Sequence, residues 1–286
     1  MLSTNYLYFF LDIFLAHIMH GVTGFAGTLL AMPFGLMLVG YPVAKPVLNI
    51  LGLFSGIYVF LGNRKYVVWK ELWKIVAIMS VGILAGICIK DMLLGKEKLL
   101  YLVLGIFVIA VSIQGLIKEL MTGSGKKSGE VHSEEALEKE RPDAETDSDI
   151  NGTLKVDTES EAKKSDKGRA FSGLSCLLLP VAGVIHGIFV SGGPLLISYL
   201  AKRIPEKNQF RTTISTVWIF LNTLVLMDDL RSGYWDVKLM LTTVCAAPFL
   251  FGGLKIGSML YKRMSQHTFM IVTFVLLLLM GIKLLF

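Results

Sequence analysis

Cysteine is scarce in this chain, and what there is stands alone. Cys88, Cys176 and Cys245 are the three cysteines of 286 residues. They form no CxxC pair and no Cys/His cluster, so spacing points to neither a disulfide framework nor a metal site. Small apolar packing roles suit all three. Catalytic signatures are missing as well. There is no HExxH, no GxSxG, no Walker loop and no pair of carboxylates inside an apolar run. Neither an enzyme nor an ATP-hydrolysing pump is expected, and no cofactor or metal is called for. The N-terminus lacks a basic region and a small-residue cleavage site, so its apolar run is expected to be a membrane segment and not a cleaved signal.

Apolar sequence is what the chain has in abundance. Hydrophobic residues make up 53% of it, and they are gathered in long runs. Such runs lie near 5–20, 25–39, 44–62, 75–89 and 99–117, and again near 172–188, 193–201, 210–228, 238–254 and 266–286. Several approach the roughly 20 residues that span a bilayer core. The first two of each set are shorter and rich in glycine. The expected fold is an all-α polytopic membrane protein.

Charge divides the chain into three parts. Residues 122–170 hold 13 of the 22 acidic residues and 9 of the 28 basic ones, which leaves 19 basic against 9 acidic elsewhere. A basic excess beside membrane segments reports topology, not nucleic-acid binding. The 122–170 stretch has no aromatic residue and cannot bury enough apolar area to offset the entropy of ordering. It is expected to be a disordered linker between two membrane units, 1–121 and 171–286.

The two units match at a constant shift of 166 positions. His20-Gly21 falls on His186-Gly187, Gly27 on Gly193, Lys45 on Arg211, Phe54 on Phe220, Trp69 on Trp235, Gly86 on Gly252 and Gly115 on Gly281. Internal repeats are a common way to build transporters. The sense of the repeat depends on 5–39. Read as a hairpin of two segments, it gives five segments per half. One face then carries Arg64, Lys65, Lys70, Lys74, Lys118, Lys202, Arg203, Lys207, Arg211, Lys255, Lys262, Arg263 and the linker. The poorer face carries Lys45, Lys90, Lys96, Lys98, Arg231, Lys238 and Lys283. The positive-inside rule then favours two inverted repeats, each a short broken hairpin plus three long helices, with both termini outside and the linker cytoplasmic. Trp69 and Trp235 are expected to anchor opposite interfaces.

Two stretches interrupt the apolar runs with small and polar residues. One holds His20, Gly21, Thr23, Gly24, Gly27 and Thr28; its counterpart holds His186, Gly187, Ser191, Gly192 and Gly193, followed by Pro194. Glycine is unfavourable within a helix, and proline suits a helix start. A helix is therefore expected to end near His186 and a new one to begin near Gly193. A helix N-terminus inside the membrane offers free N–H groups and partial positive charge, which suit an anion. Close helix packing through small residues is the competing role for these glycines. His20 and His186 are candidates to bind the anion or carry a proton, or to cap a helix end. Lys45 and Arg211 are candidates to draw an anion in, or mere snorkelling residues. Asn49, Ser215 and Asn222 are candidates to line the cavity or to join helices. Asp12 has no counterpart, since its partner position is Leu178.

These residues resemble a known family. The small-residue stretch followed by Met32-Pro33, the Gly40-Tyr41-Pro42 turn, the polar third segment and the repeated Ser191-Gly192-Gly193-Pro194 are similar to the TauE/SafE sulfite exporters. The likeness covers both halves but not the linker. Gly24-Phe25-Ala26-Gly27 is less glycine-rich than the family's usual run, and the linker is unusually long and acidic. The resemblance implies a permease for sulfur-containing anions such as sulfite or organosulfonates.

The expected function is thus secondary transport of a small anion by alternating access at a site between the two broken segments, driven by an ion gradient. Its expected partners are that anion, a coupling proton or ion, and the lipid of a cell membrane. The alternatives are an anion channel, or a membrane sensor or accessory protein acting through the linker.

Overall fold

The computed structural model describes residues 4–23, 26–93, 95–126, 178–200, 203, 204, 206–260 and 266–285. Those residues hold helices and no strand. In the first half they are α1 (Thr4–Thr23), α2 (Ala26–Val39), α3 (Tyr41–Asn63), α4 (Trp69–Leu93) and α5 (Glu97–Lys126). In the second half they are α6 (Leu178–Phe189), α7 (Gly193–Leu200), α8 (Lys207–Arg231), α9 (Val237–Leu260) and α10 (Gln266–Leu285). Five stretches are long and apolar enough to cross a membrane: Tyr41–Tyr66, Trp69–Leu93, Lys98–Met121, Asn208–Arg231 and Val237–Leu260. The chain is an all-α polytopic membrane protein, as its hydropathy predicts. The expected linker start at 122 is still helical, because α5 runs on to Lys126. The rest of the 122–170 stretch, and Gly24, lie outside the described residues.

The breaks fall slightly later than the glycine pattern suggests. His20 and Gly21 belong to the last turn of α1, and α6 continues to Phe189, three residues beyond His186. Each helix then folds back as a hairpin. Gly27 of α2 faces His20, and Gly35 faces Phe9, so α1 and α2 run antiparallel.

Glycines set the main contacts between the halves. On α1 and α9, a Cβ at Gly21 would lie 2.8 Å from the Leu254 carbonyl, while Gly253 and Gly257 sit against the carbonyls of Phe14 and Ile18. On α6 and α4, a Cβ at Gly187 would lie 2.7 Å from the Ile83 carbonyl, while Gly82 and Gly86 sit against the carbonyls of Pro180 and Val184. Without side chains at these points the backbones approach to van der Waals contact. The two contacts share one pattern. Phe14 and Ile18 correspond to Pro180 and Val184 at the 166 shift, but Gly86 takes the place of Gly257, not of Gly252. The fourth segment has therefore slipped by five positions relative to the ungapped match. Trp69 and Trp235 part company for the same reason. Trp69 opens α4 and is 45% exposed, whereas Trp235 lies before α9 and packs against the core.

The equivalent helices α3 and α8 cross antiparallel. Lys45 near the start of α3 meets Asp229 near the end of α8, and Gly56 further along α3 meets Ser215 near the start of α8. The equivalent helices α5 and α10 are antiparallel too, with Gly105 against Leu285 and Gly115 against Phe274.

Overpacking a helix contact costs about 1–3 kcal/mol. Gly86→Val places side-chain atoms against the Val184 carbonyl and is expected to lower thermal stability in detergent by that amount. Gly62→Ala has open space around its Cβ and is expected to melt at or slightly above the parent temperature.

Candidate functional site

Two helices, α1 and α6, end at breaks packed inside the protein, and their last carbonyls need donors. The third segments supply them. Arg211 of α8 donates from Nη2 to the Gly21 carbonyl at 3.0 Å and also contacts Ser258 Oγ at 3.4 Å. The Tyr41 hydroxyl of α3 donates to the Ile188 carbonyl. At the second break the chain turns sharply. Val190 has φ 56, a left-handed conformation that a β-branched residue rarely adopts. Its N–H bonds back to the His186 carbonyl at 2.8 Å, and Ser191 Oγ donates to the Phe189 carbonyl at 2.9 Å. Strain of this kind persists where the surroundings over-determine the backbone, and it clusters at functional sites.

Beside the breaks, the two hairpins meet the α3–α8 crossing. His186 is 2% exposed, stacks on Trp218 with ring centroids 4.9 Å apart, and bonds through Nε2 to Asn222 Oδ1 at 2.9 Å. An amide oxygen only accepts, so Nε2 donates. Asn222 lies beside Gly52, where a Cβ would come within 2.7 Å of its Nδ2 and 3.4 Å of Thr28 Cγ2. Glycine at 52 thus leaves the gap in which residues of α2, α3, α6 and α8 converge. Asn49 Nδ2 reaches the Asn222 carbonyl at 3.1 Å and Asp229 Oδ2 at 3.2 Å.

Several buried polar atoms here have no protein partner: both ring nitrogens of His20, His186 Nδ1, Asn49 Oδ1 and Ser215 Oγ. Buried polar groups are normally satisfied, so each such atom marks a place for water or a ligand. His20 packs on Gly27 and stacks on His17 at 5.8 Å. His17 Nδ1 lies 2.7 Å from the Ile13 carbonyl and so donates to it.

The structure thus gathers Thr28, Asn49, His186 and Asn222 at the crossing, with Gly192 and Gly193 at the second turn. Gly192 leaves room for the backbone of Ala182 and for His186. Gly21 and Gly187 serve helix packing, and Ser191 spends its hydroxyl on the backbone. Thr23 closes α1.

Lys45 stands apart from the crossing in a lattice of ions that the repeat comparison passes over. It is fully buried and bonds Asp229 at 2.6 Å and Asp228 at 3.1 Å. Lys90, equally buried, bonds Asp228 at 2.6 Å and Asp91 at 3.1 Å, and donates to Ser232 Oγ at 3.0 Å. Arg231 closes the lattice on Asp91 at 2.6 Å and Asp228 at 2.9 Å. The signal in the sequence is faint: Lys90-Asp91 and Asp228-Asp229 at the ends of apolar runs, with Ile256, Gly62 and Asn63 at their shifted positions. Asp12 lies elsewhere, in an apolar cavity of about 510 Å³ beside Leu15, Leu30 and Phe34. That lining offers an anion nothing.

Breaking a buried ion pair by removing one partner costs about 3–5 kcal/mol, whereas replacing both by apolar groups is close to neutral. Asp229→Ala is expected to destabilise by that amount because it strips Lys45 of its shorter bond. The double variant Lys45→Met with Asp229→Leu is expected to recover most of the loss. Thermal unfolding of the three proteins in one detergent checks both statements.

No curated protein and no solved structure matches the chain. The family model of the sulfite exporter TauE/SafE matches residues 9–284, so the chain belongs to that family of multi-pass membrane transporters.

Proposed function

We propose that the chain is a secondary transporter of a small sulfur-containing anion, sulfite or an organosulfonate, and that it binds this anion at the α3–α8 crossing between the two hairpins. The observation that carries the reading is the buried polar cluster itself. His186 Nδ1 and Asn49 Oδ1 are buried without a protein partner on either side of Asn222, which lies beside Gly52 and Thr28 near the start of α2. Hydrogen-bond donors and helix N-termini are what an anion needs once its water is stripped away.

The mechanism is alternating access between two inverted repeats. Inversion requires equivalent helices to run in opposite directions, and the antiparallel α3–α8 and α5–α10 contacts support it. The copied glycine contacts of α1 with α9 and of α6 with α4 support the duplication. Rocking one repeat against the other about a site at their interface exposes it to each face in turn. His20 and His186 are the residues we propose to couple a proton to this movement. We place the linker in the cytoplasm, on the face that carries Arg64, Lys65, Lys70 and Lys74, because basic residues gather there.

Full-length protein in liposomes is expected to take up sulfite or an organosulfonate saturably and with counterflow. Flux that rises linearly with concentration and shows no counterflow would indicate a channel. Losing a hydrogen bond to a charged ligand costs about 1.5–3 kcal/mol. Asn222→Ala is therefore expected to lower uptake efficiency by about 10–100-fold. Uptake at the parent rate by a folded Asn222→Ala protein would remove the crossing from the binding site.

A further inference from the structure

The ion lattice joins the two repeats at one end of the bundle. Lys45 stands near the start of α3 and Lys90 near the end of α4, while Asp228 and Asp229 stand near the end of α8. The inner pairs therefore all run between repeats: Lys45 with Asp229 and Asp228, and Lys90 with Asp228. These four residues are buried. The side chains of Arg231 and Asp91, which complete the lattice, are 60% and 40% exposed, so the lattice runs from the interior out to the surface. Inward it reaches the crossing, because Asn49 bonds both Asp229 and Asn222. Asn222, Val225 and Asp229 are spaced to share one face of α8, and Val225 between them is fully buried. At the opposite end, where α3 stops and α8 begins, a looser pair links the repeats. Arg203 lies 3.4 Å from Glu71, and both are partly exposed.

Buried charges suit a contact that has to form and part. When closed, their attraction roughly offsets the cost of stripping their water. When they part, water returns to each charge and offsets the lost attraction. A closed apolar contact has no such return, because parting it only exposes apolar surface. Charges also close in one register, since any slip strands one of them.

We infer that the lattice is the gate of its end of the bundle. It is shut in this structure, and it parts between α8 of one repeat and α3 and α4 of the other when the crossing opens to that face. The inference rests on the crossing being the site of an alternating-access transporter.

Two measurements on the full chain in liposomes test it. The first uses Lys45→Met with Asp229→Leu, which keeps the contact closed with apolar groups and leaves Asn49 Nδ2 its bond to the Asn222 carbonyl. Sulfite turnover is expected to fall on the order of tenfold or more, because exposing even one buried apolar side chain on opening costs that much. Sulfite affinity is expected to stay within about threefold of the parent, since the site keeps its groups. Parent turnover in the folded variant overturns the gate. So does an affinity loss that matches the loss of turnover, because it moves these residues into the binding site. The second uses Val225→Cys with Cys88, Cys176 and Cys245 replaced by alanine, and a membrane-impermeant thiol reagent applied to each face in turn. Adding Asp228→Asn, which removes the carboxylate that Lys45 and Lys90 share, is expected to speed labelling from one face on the order of tenfold by favouring the parted, hydrated state. Equal labelling with and without Asp228→Asn overturns the gate, and this measurement decides where the first variant does not fold. A parent protein that moves no sulfite counts against the proposed function instead; labelling reads the closure without substrate.

Discussion

A helix that stops inside a bilayer leaves its last carbonyls without partners, and lipid cannot provide them. Much of this structure follows from that constraint. Each of α1 and α6 ends at a break in the chain and needs a donor brought to its last turn. The donors come from the opposite half for both breaks: Arg211 of α8 reaches Gly21 of α1, and Tyr41 of α3 reaches Ile188 of α6. The crossing of α3 and α8 is thus the place where each repeat satisfies the other, and the polar cluster sits where those obligations meet. Gly52 and Gly56 make the crossing close enough, because side chains there would run into Asn222 and the Ser215 carbonyl.

The ion lattice obeys a different logic. Buried ion pairs contribute little to stability compared with well-packed apolar groups, since desolvating the charges offsets most of their attraction. What such pairs do is fix an arrangement. Lys45, Lys90, Asp228 and Asp229 tie α3 and α4 of one repeat to the end of α8 of the other, at one face. Removing any member leaves a stranded charge, so the three helices keep one register there. The outer members, Arg231 and Asp91, are much more exposed than the inner four, so their pairing contributes less.

The hairpins, the long helices and the starts of α7 and α8 were legible in the sequence because they rest on local signals. Apolar runs, a glycine-rich break and a proline at a helix start each act over a few residues. The His186–Asn222 neighbourhood was half legible. Both residues interrupt apolar runs, but only the fold joins α6 to α8. The lattice was not legible, for a reason the repeat itself supplies. Comparing halves rewards positions that match, and Asp228, Asp229 and Lys90 match Gly62, Asn63 and Ile256. The slip of the fourth segment was hidden in the same way. Gly86 and Gly252 coincide at the 166 shift by chance of composition, while the backbone contact that needs glycine pairs Gly86 with Gly257. Matching letters do not show which atom a missing side chain makes way for.

The mismatch between halves has an energetic meaning of its own. In two inverted copies, exchanging the conformations of the halves exchanges the two faces. Identical halves would hold both access states at equal energy. In the proposed mechanism the lattice would break that tie, because the end of the bundle with Lys45 is joined by charged pairs while its counterpart has Arg211 on a carbonyl and a hydroxyl. A ligand shifts such an equilibrium only by its differential affinity for the two states. An anion at the proposed site would lie one asparagine away from the lattice, because Asn49 bonds both Asn222 and Asp229. On that proposal Asn49 is the direct hydrogen-bonded link through which occupancy of the site would be felt by the ion lattice.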